Sequence, residues 1–230
     1  MGNLFTSTIG RKLIMSISGL FLILFLLFHM SMNIAAVFST EAYNAICEFL
    51  GANWYALAGT LILAAGFVVH IIYASILTLH NRSSRGTQRY AVEATPKSVT
   101  WASRNMFVLG LVVVLGLLLH LYNFWYNMQF AEIIGDHSLG AFGPTDGAAY
   151  IADLFSNPVY CLIYLIWFLA IWFHLTHGFW SAFQTIGWDN QIWMKRLKCL
   201  ANVFATVVFL GFALVVVVFY LRSLRGGFCY

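Results

Sequence analysis

Seven histidines are spread through a chain of 230 residues that is 61% hydrophobic and only 9% charged. Five of them, His29, His70, His120, His174 and His177, fall inside long apolar runs. His80 lies at the edge of a run beside Asn81-Arg82, and His137 lies in a polar stretch; these two read as interfacial or solvated residues. An imidazole within an apolar run is different, because polar groups in lipid are expensive and mark functional sites. No Asp or Glu shares these stretches, so a proton relay that mixes carboxylates with imidazoles lacks half its members. Zinc would want four nitrogen or sulfur ligands at one level. The four cysteines, Cys47, Cys161, Cys199 and Cys229, are scattered without a C-x-x-C pair and indicate neither a zinc site nor a disulfide framework.

The elements that must carry these imidazoles are readable from hydropathy. A membrane span needs about 20 predominantly apolar residues, and such runs occur at about 13–38, 54–80, 105–127, 158–186 and 200–221. They are too long and too uniformly rich in Leu, Phe and Val for barrel strands, which alternate apolar and polar residues over about ten positions. Helices remain, since every backbone amide in lipid must be satisfied within its own segment. The expected fold is therefore an all-α integral membrane protein of one domain, residues 1–230, with five transmembrane helices. With so few charges, a soluble enzyme, a disordered chain and a nucleic-acid binder are excluded; the net charge of +4 comes from basic residues between apolar runs, not along one polar face.

Charge gives the orientation. Arg11 and Lys12 precede helix 1, Arg82, Arg85, Arg89, Lys97 and Arg104 lie between helices 2 and 3, and Lys195, Arg196 and Lys198 lie between helices 4 and 5. These three segments share one side and hold ten of the 12 basic residues, which makes that side cytoplasmic by the positive-inside rule. Glu41, Glu48, Glu132, Asp136, Asp146 and Asp153 fall on the opposite side, with Arg222 and Arg225 at the C-terminal end. The N-terminus is expected inside and the C-terminus outside. The stretch after Lys12 has no clean small-x-small cleavage site and reads as a retained first helix, not a signal peptide. Met1-Gly2-Asn3-Leu4-Phe5-Thr6 fits a myristoylation pattern, but five spans need no lipid anchor.

At a rise of about 1.5 Å per residue, His29 and His120 both lie roughly 22–24 Å from the inner ends of their helices, in the outer half of the bilayer. His70 and His174 each lie about 16 residues from the outer ends of descending helices, in the inner half. His177, one turn beyond His174 on nearly the same face, is its rival at that depth. Antiparallel helices thus bring two histidines to each of two levels. Haem b suits such pairs: its porphyrin is large and apolar, and two axial imidazoles close the iron to everything but electron transfer. Two haems b stacked across four of the five helices would make an electron conduit. Gly66, Gly116 and Gly178 each stand four residues from His70, His120 and His174, where a missing side chain would let a porphyrin edge lie close to the helix.

The chain resembles the dihaem cytochrome b membrane subunit of bacterial succinate:quinone oxidoreductases, the succinate dehydrogenases and fumarate reductases with one five-helix anchor. The resemblance covers nearly the whole chain. Its marks are Ser18-Gly19-Leu20-Phe21-Leu22 leading to His29-Met30, His120-Leu121-Tyr122, and Phe173-His174-Leu175-Thr176-His177-Gly178-Phe179-Trp180 ending in Gly187-Trp188. It implies that His29 and His120 ligate the distal haem iron and His70 and His174 the proximal one. The family pattern, a ligand four residues before Gly and six before an aromatic, selects His174 and leaves His177 to bond a propionate or to pack.

The resemblance also places Ser16 at a proximal propionate; near the inner end and about 140° around the helix from His29, it suits the other haem. Trp101 and Arg104, at the inner start of helix 3, are further propionate candidates or interface anchors. Glu48, in the outer loop after helix 1, is the candidate for proton exchange with quinone, menaquinone being favoured, although its spacing is about three residues shorter than in relatives. Thr185 stands where relatives carry a basic residue. A flavoprotein and an iron–sulfur subunit are implied on the cytoplasmic face of a bacterial inner membrane, with pairing of two such complexes. The chain itself has no covalent-flavin signature and no cluster cysteines, so the dicarboxylate site belongs to another subunit. Two rivals remain: a cytochrome b anchor of a hydrogenase or formate dehydrogenase, and a non-redox transporter with buried histidines, which the lack of intramembrane carboxylates and inverted repeats disfavours.

Overall fold

A computed structural model describes residues 7–84, 100–136 and 138–226. Arg85, Arg89, Lys97, His137, Cys229 and the Met1–Thr6 pattern lie outside the described residues. The described residues form helices and no strands. In chain order they are α1 (Thr8–Phe38), α2 (Thr40–Phe49), α3 (Trp54–Ser84), α4 (Trp101–Arg104), α5 (Met106–His120), a π-helical segment (Leu121–Phe130), α6 (Ala131–Ile134), α7 (Gly147–Leu154), α8 (Pro158–Thr185) and α9 (Gln191–Leu224).

Five continuous helical stretches are long and apolar enough to cross a membrane: Thr8–Phe38, Trp54–Asn81, Met106–Ile134, Pro158–Thr185 and Gln191–Leu224. The chain is a five-span membrane protein by that measure. The helices outrun the apolar runs at several ends. The last begins at Gln191, well before the expected 200, because its first turns carry Lys195, Arg196 and Lys198, which hydropathy excludes but which continue a helix without strain. The third extends to Ile134 through the polar residues Asn123, Asn127 and Gln129. Polar caps set the other boundaries. Ser7 accepts from Gly10 N at 3.1 Å, extended Ser39 ends α1 and caps α2 by accepting from Ala42 N at 3.0 Å, and Asn190 accepts from Trp193 N at 2.8 Å. Each cap satisfies a donor that a helix start leaves free.

Helices α8 and α9 share the most extensive interface, with α1 against both of them, α3 on α1, and α5 on α8. Small residues let α9 come close: Ala201 and Ala205 are fully buried, and Gly211 takes the Met30 side chain of α1. Helices α1, α3, α5 and α8 surround a central space in which α3 and α5 touch each other only sparingly. The end opposite the basic residues carries α2 and α7, where the lack of long apolar runs predicts loop. Residues 147–152 are buried there, Asn44 accepts from Ala148 N at 2.9 Å, and its amide donates to Asp146 at 2.7 Å.

Candidate functional site

The four deep histidines of α1, α3, α5 and α8 meet in pairs across the central space. His29 and His120 have ring centroids 5.7 Å apart at 83°. His70 and His174 stand 6.4 Å apart at 67°. Both pairs join helices diagonal to one another, α1 with α5 and α3 with α8, while the close backbone packing runs around the perimeter. Side chains, not backbones, therefore bridge the middle of the bundle at two levels. Among the described residues no three His, Cys, Asp or Glu side chains converge as a metal-ion site.

Distance tests whether the pairs fit an axially ligated iron. Imidazole nitrogens bind a first-row metal at about 2.0–2.1 Å, so two opposed rings on one metal have centres about 6–6.5 Å apart once roughly 1.1 Å from nitrogen to ring centre is added on each side. His70 and His174 match that separation, and His29 and His120 lie slightly inside it. Unmet polar atoms agree. The Nδ1 atoms of His120 and His174 are buried without a partner, as is Ser16 Oγ on a serine only 3% exposed. A buried polar atom with no internal partner calls for an explanation, and His177 Nδ1 shares this state with the paired histidines. The donor set thus offers two imidazole pairs at about the separation of two ligands on one metal, together with an unpartnered Ser16 hydroxyl.

His177 is separated from His174 by its surroundings. The ring facing His70 belongs to His174, whereas His177 packs edge-on to Trp180 at 4.8 Å and its Nδ1 is buried without a partner. Lys198 lies over the same indole at 4.5 Å. Trp101 is exposed at 54% and packs on Phe173, the residue before His174, at 5.1 Å. It lines a cleft of about 270 Å³ with Trp172, Thr176, Trp180 and Lys198. Arg104 is exposed at the end of α4.

The glycines depart from expectation. At Gly66 a Cβ would meet the Phe21 ring at 2.8 Å, and at Gly116 it would strike the Trp167 indole, so aromatic side chains fill these notches instead of leaving them for a porphyrin edge. The glycines nearest the imidazoles are mostly on facing helices: a Cβ at Gly19 would lie 3.2 Å from His70 Cε1, and one at Gly110 would lie 3.8 Å from His174 Cε1. A Cβ at Gly178 would lie 3.9 Å from His174 Cδ2 and 3.4 Å from the Met106 methyl. Spacing along one helix cannot reveal such cross-helix neighbours, which is why the reading from sequence chose Gly66 and Gly116.

Three other features were not foreseen. The ten-residue π-helical segment begins immediately after His120; π geometry is rare and is frequent at functional sites. Within it Asn123 donates to Tyr164 Oη at 3.1 Å, and Tyr164 and Trp167 both contact the His120 ring, at 6.3 and 5.7 Å. The density of polar residues at Asn123, Asn127 and Gln129 inside an apolar span was the available signal. Next to His29, Asn33 Nδ2 lies 3.5 Å from Nε2, and Tyr43 donates to Asn33 Oδ1 at 3.1 Å. Burial, with Cys47 beside it, holds the Tyr43 phenol well above its usual range, so it acts as a neutral donor. Finally, Glu48 is exposed in the last turn of α2, while Glu132, half-buried like Asp136 nearby, packs against Gly51.

No protein-family model, curated protein or solved structure matches the chain.

Proposed function

We propose that the chain is the dihaem cytochrome b subunit that anchors a succinate dehydrogenase or fumarate reductase to a bacterial inner membrane and carries electrons between its iron–sulfur subunit and quinone. The observation that carries this reading is the pair of diagonal imidazole contacts at two levels, each near the separation of two ligands on one iron. Haem b held by such pairs would supply reversible one-electron transfer.

The chain's own residues have three tasks in this reading. His29 with His120, and His70 with His174, would hold the two irons, and Ser16 would offer its hydroxyl to a propionate. Phe25, Phe67, Phe124, Tyr164 and Trp167 wall the His29–His120 level with aromatic surface and keep water from it. At the acidic end, Glu48 or the more enclosed Glu132 exchanges a proton with menaquinone. The basic end, with Arg11, Lys12, Arg104, Lys195, Arg196 and Lys198, docks the iron–sulfur and flavoprotein subunits on the cytoplasmic side.

Native membranes test the partner assignment. The haem b absorbance should become reduced on adding succinate and reoxidised on adding fumarate or quinone. Haem that dithionite reduces but neither dicarboxylate affects would overturn it in favour of the hydrogenase or formate dehydrogenase type of anchor.

A further inference from the structure

Ser18 lies on α1 where it packs on α3, and it is 8% exposed. Its Oγ is 3.3 Å from His70 Nδ1, and 2.9 and 3.0 Å from the carbonyl oxygens of Ile14 and Met15. A serine hydroxyl has one proton to donate and two lone pairs with which to accept. The two carbonyls can only accept, so they share that one proton. With two carbonyls nearer to it and competing for its one proton, Oγ is better placed to accept from the imidazole than to donate to it, an arrangement that puts the hydrogen on Nδ1. A neutral imidazole protonated at Nδ1 has its lone pair on Nε2, the nitrogen left to bind a metal. The adjoining Gly19 lets the α1 backbone lie beside the same ring, because a Cβ there would stand 3.2 Å from His70 Cε1.

The other paired histidines are held differently. His120 and His174 have buried Nδ1 atoms without partners, and His29 is bordered by Asn33 of its own helix. His70 is thus oriented from a neighbouring helix, by the Ser18 hydroxyl and by a hydrogen bond to the Met15 backbone beside it.

We propose that Ser18 is a positioning residue for His70: it accepts the Nδ1 proton, fixes the tautomer and ring orientation, and leaves Nε2 as the iron ligand of the inner haem. The iron in this statement rests on the dihaem reading; the tautomer does not. Partners of this kind typically change metal affinity by about 10–100-fold when removed.

Two measurements on the full-length chain test it. In haem-free protein labelled with ¹⁵N-histidine, solid-state NMR should show the Nδ1-protonated form at His70, identified by its loss in His70→Gln. Ser18→Ala should convert that signal to a mixture of tautomers, and Ser18→Thr, which keeps the hydroxyl, should preserve it. In haem-loaded protein, transfer to excess apomyoglobin should quicken about 10–100-fold for one of the two haems in Ser18→Ala and stay near the wild-type rate in Ser18→Thr. An Nε2-protonated His70 in the wild type, or a Ser18→Ala variant unchanged in both measurements, would overturn the proposal. A wild-type chain that holds no haem yet shows the Ser18-dependent tautomer would overturn the cofactor reading and support the role of Ser18 in setting the ring.

Discussion

At the scale of single residues, the candidate site is a difference between otherwise similar histidines. His174 and His177 are one turn apart, and depth alone cannot choose between them. Their neighbours do: one ring faces His70 across the bundle and the other packs on Trp180. His174→Ala should therefore lose one of two haems, whereas His177→Ala should retain both, as read from the b-type absorbance per chain. The opposite pattern would transfer the ligand role to His177. Depth matching by residue count was enough to group His29 with His120 and His70 with His174, because antiparallel helices convert sequence distance directly into height. The facing glycines and the Ser18 contact were out of reach of that reasoning, since they depend on how far each helix is rotated about its axis.

At the scale of elements, the spans were legible because lipid demands long apolar helices, and their number and order agree between sequence and structure. Helix ends were less so. Hydropathy reports where hydrocarbon ends, and the helices continue beyond it through charged turns such as Lys195-Arg196. The closing elements α2 and α7 escaped notice because both are short and unmarked by long apolar runs. The π-helical segment was hidden for another reason: hydropathy marks a helical span without reporting its pitch. Just before it, side chains lock α5 to α8. Trp167 is part of that packing, seated in the Gly116 notch with its indole N–H donated to Val113 O at 3.0 Å. Gly116→Ala should displace the indole and destabilise the fold by about 1–3 kcal/mol, the usual range for overpacking a close contact. Thermal unfolding in detergent would register it as a lower Tm, together with an altered spectrum of the haem at the His29–His120 level. An unchanged Tm would show that Trp167 moves aside freely.

At the scale of the whole molecule, the low charge content does two jobs. It leaves the bundle apolar enough for lipid, and it makes the distribution of the few cations readable: ten of the 12 lie in segments expected to share one side, where the proposed soluble subunits would dock. Orientation is then a direct prediction. In intact cells a membrane-impermeant maleimide should label Ser138→Cys, in the segment between α6 and α7, and should spare Asp189→Cys between α8 and α9. Labelling only the latter would invert the topology and place the basic end outside. The central claim is narrower and can be tested without partners or quinone. A pyridine haemochrome assay on the purified chain should return two haems b per polypeptide, one for each imidazole pair. A count of one would contradict the pairing of four histidines, and a count of zero would contradict the reading of this bundle as a haem protein.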